Sequence, residues 1–214
     1  KVKERAHILV LEVHHIATDA VSNGIIIREV MAFYSGLQLP PVGLQYKDFS
    51  HWQNRLIDGG EMQAREDYWL HQFAGDIPRL NLPLDFPRPA VHDGRCSGVE
   101  FEINPRLTAG IKKLTLETGT TFYMVLLAVY NILLSRYSGQ EDIIVGSAVG
   151  GRRHADLENV VGMFINMLAI RSRPRETMTF IQFLDQVKTG TLDAYENQDY
   201  PFNKLVGKLG IEVR

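Results

Sequence analysis

Cysteine is nearly absent from this 214-residue chain: Cys96 stands alone, which excludes an internal disulfide and fits a reducing compartment, with the cytoplasm as the default. An excess of charge of one sign is missing as well. Lys and Arg number 23 against 25 Asp and Glu, and the basic residues are dispersed, so electrostatics gives no case for nucleic acid or an anionic membrane as partner. Long hydrophobic runs are lacking; the longest, Phe122 to Leu134, is interrupted by Tyr123, Tyr130 and Asn131 and predicts a buried core helix rather than a membrane span. No secretory signal, solenoid-length repeat or complete phosphate-cradling loop is present, and Gly150-Gly151-Arg152-Arg153 reads as a turn. An apolar content of 45% with 22% charged residues is ordinary for a globular protein and argues against disorder. Because the chain starts at Lys1 without Met and enters a strand-like run almost at once, upstream sequence is expected to be missing.

What is present concentrates in His14-His15-Ile16-Ala17-Thr18-Asp19-Ala20, two adjacent imidazoles followed four residues later by a carboxylate. The stretch follows the apolar run Ile8-Leu9-Val10-Leu11 and precedes the helical spacing of Ile25, Ile26, Ile27, Val30, Phe33 and Tyr34, which predicts a strand-to-helix junction. Neighbouring side chains at a strand end face opposite ways, so one imidazole can look into a cavity while the other braces the turn. A near-neutral imidazole can orient a nucleophile or take its proton, and Asp19 can fix the loop that carries it. The alternative is a pair of satisfied structural histidines. A metal site is disfavoured, since no further His, Cys or carboxylate cluster completes a ligand set.

Further along, Tyr46 to Leu56 and Glu61 to Phe73 have helical spacing, separated by the stop Asp58-Gly59-Gly60. The stretch from Ile77 to Arg95 carries Pro78, Pro83, Pro87 and Pro89, which suits an extended connection between two lobes with a boundary near Pro89. Beyond it, Val99 to Ile103 alternates like a half-buried strand, Pro105 opens a helix to about Thr118, and Thr120 or Thr121 caps a helix ending near Tyr137. Asp142 to Gly146 reads as a buried strand, Val160 to Arg171 as strand-like, and Thr179 to Glu196 as an amphipathic helix. Tyr200-Pro201-Phe202 breaks that helix before a last short one. The pattern predicts mixed α/β structure with two sheets or one split sheet.

With these segments in place, the chain resembles the condensation domain of nonribosomal peptide synthetases through four motifs in the family's order. His14 to Ala20 resembles HHxxxDG, and Tyr46-Lys47-Asp48-Phe49-Ser50-His51-Trp52 resembles YxDFAVW. Val161 to Arg171 is similar to VGxFVNTLAxR, and Asn197-Gln198-Asp199-Tyr200-Pro201-Phe202-Asn203 to NQDYPFE. Three departures stand out: Ala20 for Gly, Met167 for Thr and Asn203 for Glu. An Ala at position 20 is costly only if the backbone there needs φ > 0. The family's two earliest motifs and its last are absent, so the chain is expected to be incomplete at both ends.

The resemblance implies an α/β (α+β) fold of two lobes, each like chloramphenicol acetyltransferase, in a V arrangement with a tunnel between them. Residues 1–88 would then be the C-terminal part of the N-lobe, with the HHxxxD loop and linker, and 89–214 most of the C-lobe. It also implies amide-bond formation between substrates tethered as thioesters on donor and acceptor peptidyl carrier domains, beside an adenylation domain. No cofactor would be bound by this domain; 4′-phosphopantetheine would be carried by the partner carriers. Carried over, His15 is the pocket-facing imidazole, His14 and Asp19 brace the loop, and Asp19 is expected to meet an Arg, either Arg152, the best candidate in this chain, or equally one from sequence upstream of it. Ala20, Ser22, Gly162, Phe164, Asn166, Tyr200, Pro201 and Phe202 would line the tunnel or support it structurally. Helix packing is favoured for Tyr46, Asp48 and Trp52, and a packed corner for Tyr200 to Phe202. Alternatives are an epimerization domain, against which the GxFVNxLxxR-like stretch argues, a coenzyme A acyltransferase, or a non-catalytic carrier-docking module of the same fold. A heterocyclization domain is disfavoured because it replaces the paired His by an acidic DxxxxD pattern.

Overall fold

The computed structural model describes residues 7–87, 94 and 96–211. They form α1 (Ala20–Tyr34), α2 (Tyr46–Asp58), α3 (Gln63–Gln72), α4 (Pro105–Thr118), α5 (Phe122–Ser138), β1 (Ile143–Val149), β2 (Asn166–Ser172), α6 (Phe180–Glu196) and α7 (Phe202–Leu209). Short 3-10 turns stand at His15–Ala17 and Ala155–Leu157. The helices start where capping chemistry places them. Asp19, Asn104, Thr121 and Thr179 each accept a backbone N–H of the first turn, and Pro105 occupies the first turn of α4, where no intrahelical donor is lost.

The chain divides into two compact units, one drawn from Lys1–Gln63 with Val149–Asn166, the other from Ala64–Ala148 with Met167–Arg214. A boundary near Pro89 falls outside the described residues. In the first unit, Leu157, Val160 and Phe164 form a buried cluster flanked by Tyr46 and Phe49. In the second, α5 packs on α6 and α4. Its core gathers Val125 and Ala128 of α5, Ile143 of β1, Leu168 and Ile170 of β2, and Leu184 and Val187 of α6, all buried. β1 and β2 pair as a two-stranded sheet, where two sheets or one split sheet were expected.

Three strand expectations need correction. Residues 8–11 and 99–103 have no regular structure, and Ile8, Val10, Val99 and Phe101 are 71–89% exposed. A strand exists only by pairing, and these runs have no ladder partner among the described residues. The third, Val160 to Arg171, is a strand only from Asn166 on. Before that point its backbone groups are taken by side chains: Gly162 N–H and C=O by Ser22 Oγ, Phe164 N–H by Asp19, and Met163 C=O by Tyr46. A backbone satisfied in this way needs no strand partner.

Candidate functional site

Among the described residues no strand precedes the histidine loop, which enters α1 as a loop-to-helix junction. His14 is spent on local structure: its Nδ1 accepts the Ile16 N–H at 3.1 Å, and its carbonyl accepts the Ala17 N–H at 2.9 Å, closing the 3-10 turn. His15 opens that turn with its side chain exposed. Thr18 is buried and donates its hydroxyl to Asn23 Oδ1 at 2.8 Å. Asp19 follows as the N-cap of α1, accepting the Ser22 N–H at 2.8 Å.

Asp19 is the hub of the first unit's interior and is only 1% exposed. Arg152 grips both carboxylate oxygens, Nη1 to Oδ2 at 2.6 Å and Nη2 to Oδ1 at 3.1 Å, in the two-pronged geometry that suits a planar guanidinium. The same Nη2 reaches Ser22 Oγ at 2.8 Å and the Val160 carbonyl at 3.2 Å, while the guanidinium lies 4.1 Å over the Phe164 ring. Phe164 N–H donates to Asp19 Oδ2 at 3.2 Å. Burial alone would push the Asp19 carboxyl up, but hydrogen bonds from Arg152, Ser22 and Phe164 more than offset it and hold it at about 2.

Ser22, fully buried, ties α1 to the 160–164 segment by donating to the Gly162 carbonyl at 2.8 Å and accepting its N–H at 3.0 Å. Two glycines permit this closeness. A Cβ on Gly162 would stand 2.1 Å from the Tyr46 ring, and one on Gly151, where φ is +65°, 2.0 Å from the Phe164 carbonyl oxygen. Tyr46 in turn donates its hydroxyl to the Met163 carbonyl at 2.7 Å and meets Phe164 edge-on at 5.1 Å. Burial, and then the nearby Asp19 charge, push that phenol's pKa upward.

The structure therefore brings together His14, His15, Asp19, Ala20, Ser22, Arg152, Gly162 and Phe164 in one unit. Asn166 is half-buried at the start of β2. Ala20 is exposed at the first position of α1 with negative φ, so the methyl group that departs from the family's Gly meets no backbone strain. Tyr200, Pro201 and Phe202 belong to the second unit. Tyr200 is buried there with its hydroxyl on Glu66, which also pairs with Lys208 at 2.9 Å, and Pro201 caps α7. Sequence reasoning missed Tyr46 as the ring under Gly162. It also missed Arg171, whose guanidinium binds both Asp142 oxygens at 2.9 and 2.7 Å and the carbonyls of Gln72 and Asp76. The sequence signal for Arg171 was its place at the end of the third motif; its partner, Asp142, stands just before β1.

No single helix among the described residues is long and apolar enough to cross a membrane. The condensation-domain family model matches residues 1–213. Tyrocidine synthase 3 of Brevibacillus parabrevis is 49% identical over 212 residues, 99% of this chain and 3% of that protein. The X-domain of teicoplanin biosynthesis, solved in complex with OxyB, superposes with a TM-score of 0.87 at 26% identity, covering 94% of this chain and 47% of that one. The condensation domain of the Monacolin K polyketide synthase MokA shares the fold with a TM-score of 0.77 at 24% identity, over 94% of this chain and 48% of that one. The chain thus spans a small fraction of the curated relative and about half of each solved chain. A family match along nearly its whole length, with the fold to go with it, establishes that this chain belongs to the condensation-domain family.

Proposed function

We propose that this chain is the part of a nonribosomal peptide synthetase condensation domain that carries the HHxxxD loop, and that the complete domain joins two carrier-tethered substrates through an amide. The observation that carries this reading is the division of labour in the loop. His14 is consumed by a turn and Asp19 by a buried guanidinium, while the His15 imidazole is left exposed on a rigid base. In the reaction the acceptor amine attacks the donor thioester carbonyl. The C–N bond forms, the C–S bond breaks, and the sulfur departs as a thiolate on the donor's pantetheine arm. The proton shed by the amine passes to His15 and from there to that thiolate. Most of the acceleration comes from holding amine and carbonyl together, and His15 adds orientation or proton transfer.

On this reading the partners are donor and acceptor carrier domains and a neighbouring adenylation domain, with phosphopantetheine held by the carriers, in the cytoplasm. Residues 1–88 and 89–214 are assigned to successive lobes, and the isolated 214 residues are inactive. The test is to incubate the complete domain with two loaded carriers and measure the dipeptidyl thioester. His15→Ala is expected to lower its formation by about 10²- to 10⁴-fold if His15 moves the proton. Near-full product from His15→Ala removes the imidazole from the mechanism. The likeness to an X-domain solved with a bound partner favours a second reading, a docking module without turnover. Carrier binding with no product from the unsubstituted domain would select it.

A further inference from the structure

On α2 and the turn at Ala155–Leu157, the first unit carries an open cavity of about 330 Å3. Its walls are aromatic. Phe49 and Trp52 stand 5.9 Å apart, tilted by 41°, and the His154 ring meets Trp52 edge-on at 5.8 Å. Leu44 and Leu157 close the apolar part, and Asp48 and Asp156 supply two carboxylates. Among the described residues, no Lys or Arg lines it.

This combination selects by charge. An anion would meet two carboxylates, and a purely apolar guest would strip water from them without replacing it. A cation with a short carbon body gains on both counts, because its charge is drawn to the π faces and compensated by the carboxylates. The volume lies at the small end of ligand sites, about 300–1,000 Å3. We propose that this cavity binds an organic cation, an alkylguanidinium or alkylammonium group, against Trp52 and Phe49, with Asp156 as its principal counter-charge. Asp48 contributes less, since its Oδ2 already accepts the Gln45 N–H at 2.9 Å. Its lining shares no residue with the His15 loop, and its test needs no turnover.

The chain has two tryptophans, and Trp69 is buried in the second unit, so the two indole N–H signals report different places. Titration with n-butylguanidinium, followed by 15N-resolved NMR, is expected to shift the Trp52 indole saturably and leave Trp69 unmoved. The uncharged isostere n-butylurea is expected to bind at least about tenfold more weakly, and Asp156→Asn to weaken the guanidinium by about tenfold. A silent Trp52, equal binding of the urea, or an unweakened Asp156→Asn with an unchanged amide spectrum would each overturn the site. The urea comparison on the unsubstituted chain decides the matter even if the variant fails to fold.

Discussion

At the scale of single residues, Asp19 and Gly162 carry the sharpest consequences. The Asp19 carboxyl is held at about 2 against an ordinary 3.8, so folding favours its ionised form. Its contribution is complete above the unfolded value and is lost as pH falls from about 4 through about 2; one pKa unit is worth about 1.4 kcal/mol, so the loss is ~2 kcal/mol. Urea midpoints measured across that window should fall more steeply for the natural chain than for Asp19→Asn. At neutral pH, Asp19→Asn leaves the Arg152 cation buried without its counter-charge and is expected to cost about 3–5 kcal/mol, read from the same unfolding curves. Gly162→Ala drives a methyl group into the Tyr46 ring. Overpacking of this kind costs about 1–3 kcal/mol, and Gly162→Ala should lower the thermal midpoint less in a Tyr46→Ala background, which removes the two ring atoms nearest the added methyl group. The Asp19–Arg152 pair was legible only in outline: the family pattern calls for an Arg, but an upstream Arg stood equal to Arg152 until the structure paired them. The Tyr46–Gly162 contact was not legible, since the two residues lie far apart in sequence and nothing local to either one encodes the other.

Among the elements, the helices were readable, as was the buried strand at 142–146, whereas the strand-like runs at 8–11 and 99–103 were misleading. A helix satisfies its own backbone, so Asn104-Pro105, Thr121 and Thr179 mark true starts, and Gly119 and Gly139 end α4 and α5 in the left-handed conformation at their C-caps. The apolar runs at 8–11 and 99–103 have strand composition, but composition cannot supply a ladder partner. The departure at position 20 belongs to this scale as well. Ala20 begins α1 in helical conformation, so Ala20→Gly is expected to fold, to lose up to about 1 kcal/mol by chemical denaturation, and to leave dipeptidyl thioester formation by the complete domain unchanged. A gain in turnover of tenfold or more would show that the family's Gly matters for motion of the loop rather than for its resting geometry.

For the molecule as a whole, the salient feature is uncovered apolar surface. On α5, Leu126, Val129, Tyr130, Leu133 and Tyr137 recur at helical spacing, 39–65% exposed, opposite the face that buries Val125, Ala128 and Leu134. On α1, Ile27, Met31 and Tyr34 form a second such stripe, 57–87% exposed. Contiguous apolar faces of this kind are rare on soluble monomers. The 214 residues alone are therefore expected to bind a hydrophobic dye and to self-associate weakly and reversibly, at about millimolar concentration. Val129→Lys with Leu133→Glu should reduce both, as measured by light scattering and dye fluorescence. A monodisperse, dye-silent monomer would show that these faces are compatible with water as they stand.

Four ordered motifs, the helix caps and the absence of basic stripes and membrane-length runs were enough, by themselves, to name the family, to place α1 to α7 and to single out His15. All of these are local, written in residues near one another in the chain. Only the folded structure decided that Asp19, Ser22, Tyr46, Arg152, Gly162 and Phe164 share one interior, and that the 160–164 backbone serves helix α1 instead of a sheet. Those contacts join residues more than a hundred positions apart, and their energy comes from burial and hydrogen bonding that no stretch of the chain possesses until the rest has folded around it.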